Sequence, residues 1–212
     1  MFAAVRESGP VVPRIVGRDG ELAVVRDVLD GVGDGPATLA LWGDTGIGKS
    51  TIWEAAVAQA RRRGFTVLAS RPAAPEVHLS YAGLADLLAD VDAEVVAGLP
   101  VPQQRALDAA LLRGFEDEAT ADPRAVAAGL QSVINVVAAA GPIVVAIDDL
   151  QWLDEPTRRV LAFAIRRCHG PMVMLSAERA EWEPGARIAL WPADPGRLRD
   201  LNVPPLSLGA LH

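Results

Sequence analysis

The residues best suited to chemistry in this sequence form one short glycine-rich segment, residues 43–50. The segment reads Gly-Asp-Thr-Gly-Ile-Gly-Lys-Ser and matches the pattern G-x-x-x-x-G-K-[ST]. Glycines let such a loop curl so that successive backbone N–H groups point inward, where they can hold phosphate oxygens. The pattern therefore predicts a loop that binds the phosphates of a nucleotide.

Individual positions of this loop have expected contacts. Lys49 should reach the β- and γ-phosphates, and the Ser50 hydroxyl should bind Mg²⁺. The helix expected after the loop adds its positive N-terminal end. The expected ligands are ATP or ADP with Mg²⁺. The predicted binding residues are Gly43, Asp44, Thr45, Gly46, Ile47, Gly48, Lys49, Ser50 and Thr51.

A second candidate is an apolar run that ends in two carboxylates, Asp148 and Asp149. Residues 143–147 read Ile-Val-Val-Ala-Ile, which is typical of a buried strand. A phosphate-binding loop needs an acidic residue at the tip of a neighbouring strand to hold the metal ion. We expect Asp148 to do this through a metal-bound water, and Asp149 to orient or deprotonate an attacking water. A strand that simply stops at a polar turn is the alternative.

Three further residues lie close to these motifs. Arg179 follows the apolar run 172–176, and an arginine there could sense or stabilise a γ-phosphate. A surface arginine in a loop explains the same position equally well. Trp42 precedes the glycine-rich loop and Trp152 follows the acidic pair, and we interpret both as packing residues.

Strands and helices are predicted where these motifs require them. Strands that alternate with helices imply an α/β fold with a parallel sheet covered on both faces. Residues 181–195, rich in proline and tryptophan, are expected to form a loop. Strands are predicted at 38–42, 65–69, 143–147, 172–176 and, as an edge strand, 198–203. Helices are predicted at 21–29, 49–63, 79–88, 101–112, from Asp122–Pro123 onward, and from Glu155 until Gly170–Pro171 ends the last one.

Composition and charge narrow the class of protein. The 212 residues suffice for one sizeable domain. A chain with a net charge of −7 lacks the excess of basic residues expected of a nucleic-acid-binding surface. A single cysteine fits a reducing, cytoplasmic location. Residues 1–13 show no signal peptide and are expected to be flexible, and residues 14–212 are expected to form the domain.

One segment has the length and hydropathy of a membrane span. Residues 125–147 contain no charged side chain, and about 20 such residues can cross a bilayer. Gly141–Pro142 divides the segment, and Asp148 follows it directly. We therefore predict a buried helix followed by a buried strand, and no membrane contact.

Three other segments resemble one known family. Residues 16–22 (VGRDGEL), 79–88 (LSYAGLADLL) and 148–157 (DDLQWLDEPT), together with the glycine-rich loop, resemble the N-terminal ATPase domain of the large ATP-binding LuxR-type transcriptional regulators. These regulators belong to the STAND class of signal-transduction ATPases and are related to AAA+ proteins. The resemblance covers residues 16–208, and the Asp-Asp-x-x-Trp-x-Asp element is its most specific part.

The resemblance implies a P-loop NTPase three-layer sandwich with strand order 5-1-4-3-2. It implies that Val16, Gly17 and Arg18 lie near the adenine and ribose, and that Arg179 matches the arginine at the end of the fourth strand. ATP would act mainly as a switch ligand, with slow hydrolysis and self-association on binding. Full-length members continue into sensor and DNA-binding domains, so this chain would be truncated before them and would not itself contact nucleic acid.

Three functional hypotheses follow. The first is a regulatory ATPase domain that switches on ATP binding, favoured by the Asp148–Asp149 pair in place of the Asp-Glu of many AAA+ machines. The second is a work-performing AAA+ ATPase, such as a loader or remodelling factor, which would need a ring of subunits. The third is a nucleotide-binding module without catalysis.

Overall fold

The computed structural model describes residues 15–112, 121–180 and 195–206. The prediction for residues 1–13, and that for 181–195 except Pro195, lie outside the described residues. The helices are α1 (Asp19–Asp30), α2 (Lys49–Arg62), α3 (Ala82–Leu87), α4 (Ala93–Ala97), α5 (Val101–Ala110), α6 (Pro123–Ala140) and α7 (Glu155–Ile165). The strands are β1 (Ala37–Gly43), β2 (Thr66–Ser70), β3 (Ile143–Ile147), β4 (Met172–Arg179) and β5 (Leu198–Asn202), and short 3₁₀ turns span Gly31–Asp34, Ala74–Glu76, Leu150–Trp152 and Pro195–Arg197.

The five strands form one parallel sheet in the order β2-β3-β4-β1-β5. This is the predicted order read from the opposite edge, and the α/β fold class is confirmed. The order puts β4 between the strand that leads into the glycine-rich loop and the strand that ends before Asp148. Because all strands are parallel, the carboxyl ends of β1, β3 and β4 meet at one edge of the sheet.

Both faces of the sheet are buried, which explains why its strands are continuous apolar runs. Strand β3 shows the division: Ile143, Val145 and Ile147 pack in one cluster with α3 and α5–α7, while Val144 and Ala146 pack in another with α1 and α2. Successive strand residues point to opposite faces. The result is the predicted three-layer arrangement.

Helix α6 is long and apolar enough to cross a membrane by length and composition, with a mean hydropathy of 1.2 and 39% of it buried. Val126, Leu130 and Val133 lie in the cluster that covers one face of the sheet. The predicted division of residues 125–147 into a buried helix and a buried strand is confirmed, since α6 ends at Ala140 and β3 follows it.

Several element boundaries differ from the predictions by one to three residues, and one short helix was not predicted. The helix predicted at 79–88 begins only at Ala82, because Tyr81 has a left-handed conformation with a φ of 63°. Helix α4 was not predicted, since five residues are too few for a periodic pattern. Strand β4 extends beyond 172–176 to Arg179, because its end pairs with the end of β1.

Candidate nucleotide-binding site

The glycine-rich loop lies between β1 and α2, the context that its pattern requires. Gly43 is the last residue of β1, and Lys49 begins α2. Gly48 has a φ of 101°, a conformation that a residue with a Cβ adopts only with strain. A Cβ on Gly43 would come within 2.9 Å of the Val203 carbonyl oxygen. The left-handed backbone at Gly48 and the close approach of Val203 to Gly43 therefore explain why glycine occupies both positions.

The outer part of the loop faces solvent. Asp44, Thr45 and Gly46 are exposed, Ile47 is half-buried, and Thr51 is exposed on the first turn of α2. The first N–H groups of a helix have no acceptor within the helix. The start of α2 therefore presents hydrogen-bond donors and a positive dipole end to this loop, which suits an anionic ligand.

Lys49 is the only lysine of the chain and is 7% exposed. Its ammonium group donates to the carbonyl oxygens of Gly43, at 3.0 Å, and Asp44, at 2.7 Å. Burial lowers the pKa of Lys49 from its usual value, and the negative charge of Asp149 opposes that shift. An ammonium group has three donors, so Lys49 can also donate to a phosphate oxygen at this loop.

Asp148 lies directly after β3 and is 3% exposed. Its Oδ1 accepts a hydrogen bond of 3.2 Å from the Ser50 hydroxyl. Burial raises the pKa of Asp148, and this hydrogen bond is the largest influence that opposes the shift. The predicted metal ligands on α2 and β3 are therefore adjacent, although 98 residues separate them in the chain.

This pair of oxygen donors fits Mg²⁺. Magnesium prefers oxygen ligands and usually keeps several waters, so one or two protein oxygens suffice beside a nucleotide phosphate. Ser50, Asp148 and Asp149 line one cleft of about 350 Å³. The chemistry of these side chains and their common cleft suit a Mg²⁺ ion that accompanies a bound nucleotide.

Asp149 begins the turn that follows β3. It has a φ of 48°, the left-handed conformation that few residues with a Cβ adopt. Its N–H donates to the Oδ1 of Asp148 at 3.1 Å, and its carbonyl oxygen accepts from the Trp152 N–H at 2.8 Å. The turn therefore holds the second carboxylate in a specific orientation beside the first.

Arg179 lies at the same edge of the sheet, as the last residue of β4 rather than in a loop after it. Its backbone is in register with Gly43, the first residue of the glycine-rich loop. Its positive charge is near the Lys49 ammonium group: burial lowers the pKa of Lys49 most, and Arg179 lowers it further. Strand pairing thus brings this arginine to the phosphate-binding loop.

The interpretation of Trp152 as a packing residue is incomplete. Its ring lines the cleft, and the Arg179 guanidinium carbon lies 5.3 Å from the ring centroid. The neighbouring Gln151 was missed entirely: its amide nitrogen donates to the Asp149 Oδ1 at 2.7 Å, and its amide oxygen accepts from the Arg179 N–H at 3.3 Å. Trp42 is half-buried on β1.

Sequence reasoning also missed Arg71, the residue directly after β2. One of its guanidinium nitrogens lies 3.2 Å from the Asp148 Oδ2, and another lies 2.7 Å from the Glu54 Oε1. The side chain is 55% exposed and lines the same cleft. Its position after a strand of the sheet was an available signal, because it places Arg71 at the edge where Asp148 lies.

Of the three residues predicted near the adenine and ribose, Arg18 contacts the glycine-rich loop. Val16 and Gly17 are exposed, whereas Arg18 is buried. The Arg18 guanidinium donates to the carbonyl oxygens of Ile47, at 2.6 Å, and Pro204, at 2.7 Å, and also pairs with Glu21. Arg18 therefore braces the glycine-rich loop against the segment that follows β5.

A third carboxylate, Asp154, joins two parts of the chain that are distant in sequence. It caps the N-terminus of α7 by accepting from the Thr157 N–H at 2.9 Å. It also accepts from the N–H groups of Tyr81, at 2.8 Å, and Gly83, at 3.0 Å. Asp154 is 2% exposed. One buried carboxylate thus attaches the start of α3 to the start of α7.

The profile of a protein family described as "AAA ATPase domain" matches residues 14–175, which is more than half of the chain. A search of the curated proteins finds no match. Among solved structures, the ORC1 protein of Aeropyrum pernix in complex with DNA is similar, with 19% identity and a TM-score of 0.54 over 94% of this chain and 48% of that one. That likeness agrees with the parallel sheet described above.

Two further solved structures are similar. They are the Aeropyrum pernix ORC2 protein in ADPNP–ADP complexes, with 15% identity, a TM-score of 0.49 and coverage of 92% of this chain and 50% of that one, and AMPPCP-bound DnaA from Aquifex aeolicus, with 14% identity, a TM-score of 0.46 and coverage of 92% and 49%. The chain spans about half the length of each of these solved structures.

Proposed function

Because the chain belongs to the AAA ATPase domain family, we propose that it is a Mg-ATP-binding regulatory switch domain that hydrolyses ATP slowly. One observation carries the proposal: side chains from two strand ends and one helix start meet at the carboxyl edge of the sheet. They are Lys49, Ser50, Asp148, Asp149 and Arg179.

Binding would use the glycine-rich loop and the start of α2. Backbone N–H groups of the loop hold phosphate oxygens, and Lys49 donates to the β- and γ-phosphates. Ser50 and Asp148 would hold Mg²⁺, which when bound neutralises charge on those phosphates. Val16 and Gly17 are proposed to lie near the adenine and ribose, with Arg18 supporting the loop at Ile47.

Hydrolysis would use the two residues at the ends of β3 and β4. Asp149 orients or deprotonates the attacking water, and Arg179 stabilises negative charge on the γ-phosphate. The Arg179 guanidinium also contacts Trp152, and Asp148 is also paired with Arg71. These contacts within the protein compete with the contacts that Arg179 and Asp148 would make to the ligand, so slow turnover is expected.

The regulatory part of the proposal rests on the segments that resemble LuxR-type regulators. Two of them, residues 79–88 and 148–157, are joined by the hydrogen bonds of Asp154 to Tyr81 and Gly83. These bonds attach α3 to the segment that contains the acidic pair, and we propose that a change at that pair is passed to α3. We propose that the domain acts in the cytoplasm, self-associates on ATP binding, has no membrane partner, and leaves contact with DNA to other domains of a longer regulator.

The direct test is calorimetry of ATP and ADP binding with Mg²⁺ on the parent chain and on Lys49→Ala. Removing the ammonium group should weaken ATP binding about 100-fold or more, because it deletes a charge-assisted contact with two phosphates. Arg63→Ala, at the other end of α2, is the matched control and should bind ATP like the parent. The parent's failure to bind would refute the proposal for this chain.

A second readout uses the absence of other lysines in the sequence. An amine-directed acylating reagent should modify Lys49 and the N-terminal amine, and mass spectrometry distinguishes the two. Mg-ATP should protect Lys49 and leave labelling of the N-terminal amine unchanged. If Lys49 is labelled to a clear extent in the parent, equal labelling with saturating Mg-ATP would place the nucleotide elsewhere.

The alternatives give different results in the same samples. A work-performing AAA+ ATPase would form a ring of subunits with ATP and turn over many ATP per second. A module without catalysis would bind ATP and release no phosphate at high protein concentration. A slow single turnover with reversible self-association is the outcome expected for the switch.

A further inference from the structure

Gln151 lies in the 3₁₀ turn Leu150–Trp152 and contacts both Asp149, proposed to act on the attacking water, and Arg179, proposed to act on the γ-phosphate. Its amide nitrogen donates to the Asp149 Oδ1 at 2.7 Å. Its amide oxygen accepts from the Arg179 N–H at 3.3 Å. One side chain therefore connects the end of β3 to the end of β4.

The two partners determine which way the Gln151 amide points. A carboxylate only accepts hydrogen bonds, and a backbone N–H only donates them. If the amide were flipped, its oxygen would face the Asp149 carboxylate and its nitrogen would face the Arg179 N–H. Neither contact would then be a hydrogen bond, so the observed orientation follows from the chemistry of the site.

Asp149 is a residue whose orientation needs support. Its left-handed backbone, with a φ of 48°, persists only where surrounding contacts hold it. The backbone contacts are those with Asp148 and Trp152. In the described part of the chain, the side chain hydrogen-bonded to its carboxylate is Gln151. Gln151 therefore decides where the free oxygen of that carboxylate points.

Arg179 is held at two points by consecutive residues of the same turn. Gln151 accepts from its backbone N–H, and the ring of Trp152 lies 5.3 Å from its guanidinium carbon. A movement of Arg179 toward a phosphate would act directly on this turn. Gln151, which belongs to this turn, donates the hydrogen bond to the Asp149 carboxylate.

We propose that Gln151 is a positioning residue that couples Asp149 to Arg179, so that contact of the arginine with the γ-phosphate and alignment of the attacking water occur together. The inference rests on the proposed function, since it assigns Gln151 a task within the same hydrolytic site. It predicts that Gln151 affects the transition state for hydrolysis and leaves ground-state ATP binding unchanged.

Two substitutions of similar size distinguish the hydrogen bond of Gln151 to Asp149 from its hydrogen bond to the Arg179 N–H. Gln151→Glu keeps an acceptor for the Arg179 N–H and places a second negative charge beside the Asp149 carboxylate. Gln151→Met fills the same space and makes neither hydrogen bond. Gln131→Met is the matched control, because Gln131, on α6, makes a single long hydrogen bond, 3.4 Å, to the carbonyl oxygen of Arg167, which follows α7.

Three quantities are measured on the whole chain: the affinity for Mg-ATP, the single-turnover rate, and the affinity for Mg-ADP with fluoroaluminate relative to Mg-ADP alone. Both Gln151 variants should bind ATP within about threefold of the parent and lose about tenfold in rate and in fluoroaluminate preference. Gln131→Met should match the parent in all three.

The outcomes distinguish this inference from the proposed function. If Asp149→Asn loses rate and fluoroaluminate preference while Gln151→Met keeps both, the coupling role is wrong and the proposed function stands. A parent chain that neither hydrolyses ATP nor prefers ADP–fluoroaluminate to ADP contradicts both. A Gln151→Met variant that melts many degrees below the parent would assign Gln151 a structural role.

Discussion

Asp149 and Asp154 lie in the same short segment after β3, and the fold gives them opposite surroundings. Asp154 accepts hydrogen bonds from three backbone N–H groups, those of Tyr81, Gly83 and Thr157, and is buried. Asp149 has a left-handed backbone, lines an open cleft, and accepts a side-chain hydrogen bond from Gln151. The Asp154 carboxylate is therefore held by several donors, whereas the Asp149 carboxylate keeps oxygen lone pairs that can accept further hydrogen bonds.

The difference indicates that the two carboxylates have different roles, one structural and one functional. A carboxylate with several backbone donors stabilises the fold, because each donor would otherwise be buried without an acceptor. A carboxylate in a sparsely populated backbone conformation at a cleft is typical of a functional position. Asp154 thus holds the segment in place, and the rigid attachment lets the strained turn at Asp149 persist.

Replacing Asp154 should have the largest effect on stability. Asp154→Ala leaves two buried N–H groups and one half-buried N–H group without their acceptor, and we expect the free energy of unfolding to fall by about 3–5 kcal/mol. The measurement is urea unfolding. Asp122→Ala, which removes the N-cap of α6 with its single bond to the Arg124 N–H, is the control and should cost about 1 kcal/mol. Equal losses in the two variants would contradict the role of Asp154 as a connection between α3 and α7.

Replacing Asp149 should affect chemistry and leave stability unchanged. Asp149→Asn keeps the size of the side chain and loses the base, so we expect single-turnover hydrolysis to fall about 100-fold. ATP affinity, measured by calorimetry, should stay close to that of the parent. Loss of ATP binding in this variant would show that Asp149 holds the ligand rather than the water.

Gly83 tests the connection from the opposite side. A Cβ on Gly83 would collide with the Leu153 Cδ1 and lie 3.3 Å from the Asp154 Oδ2. Gly83→Ala should therefore destabilise the chain by about 1–3 kcal/mol through overpacking. Gly20→Ala in α1, where a Cβ would meet nothing within 4 Å, should be neutral or stabilising by up to about 1 kcal/mol. Thermal and urea unfolding of both variants decide the comparison.

Asp148 should give the smallest change in stability. Burial raises its pKa above the ordinary value of 3.8, so its ionised form makes the folded chain less stable at neutral pH. That penalty is complete above the raised pKa and disappears as the pH falls to the ordinary value. Asp148→Asn should thus keep or raise stability at pH 7 by about 1 kcal/mol or less, with the difference vanishing in acid, while Mg²⁺ binding weakens. A clear loss of stability at neutral pH would mean that the bonds to Ser50 and Arg71 outweigh the burial.

Much of the fold was predictable because its signals are local. The apolar run 143–147 and the glycine-rich loop each occupy fewer than ten residues, and each is specified by side-chain type alone. The strand order came from the family resemblance and is confirmed. The late start of α3 was not predictable, since the left-handed Tyr81 depends on a hydrogen bond to the distant Asp154.

The sequence by itself determined the position of the phosphate-binding loop, the acidic pair and the alternation of strands and helices. Only the tertiary structure decided that Gln151 joins Asp149 to Arg179, that Arg71 pairs with Asp148, and that Arg18 braces the loop. The physical reason is that these contacts depend on strand register and on the order of strands in the sheet. Register is a property of the packed sheet, and no short stretch of sequence contains it.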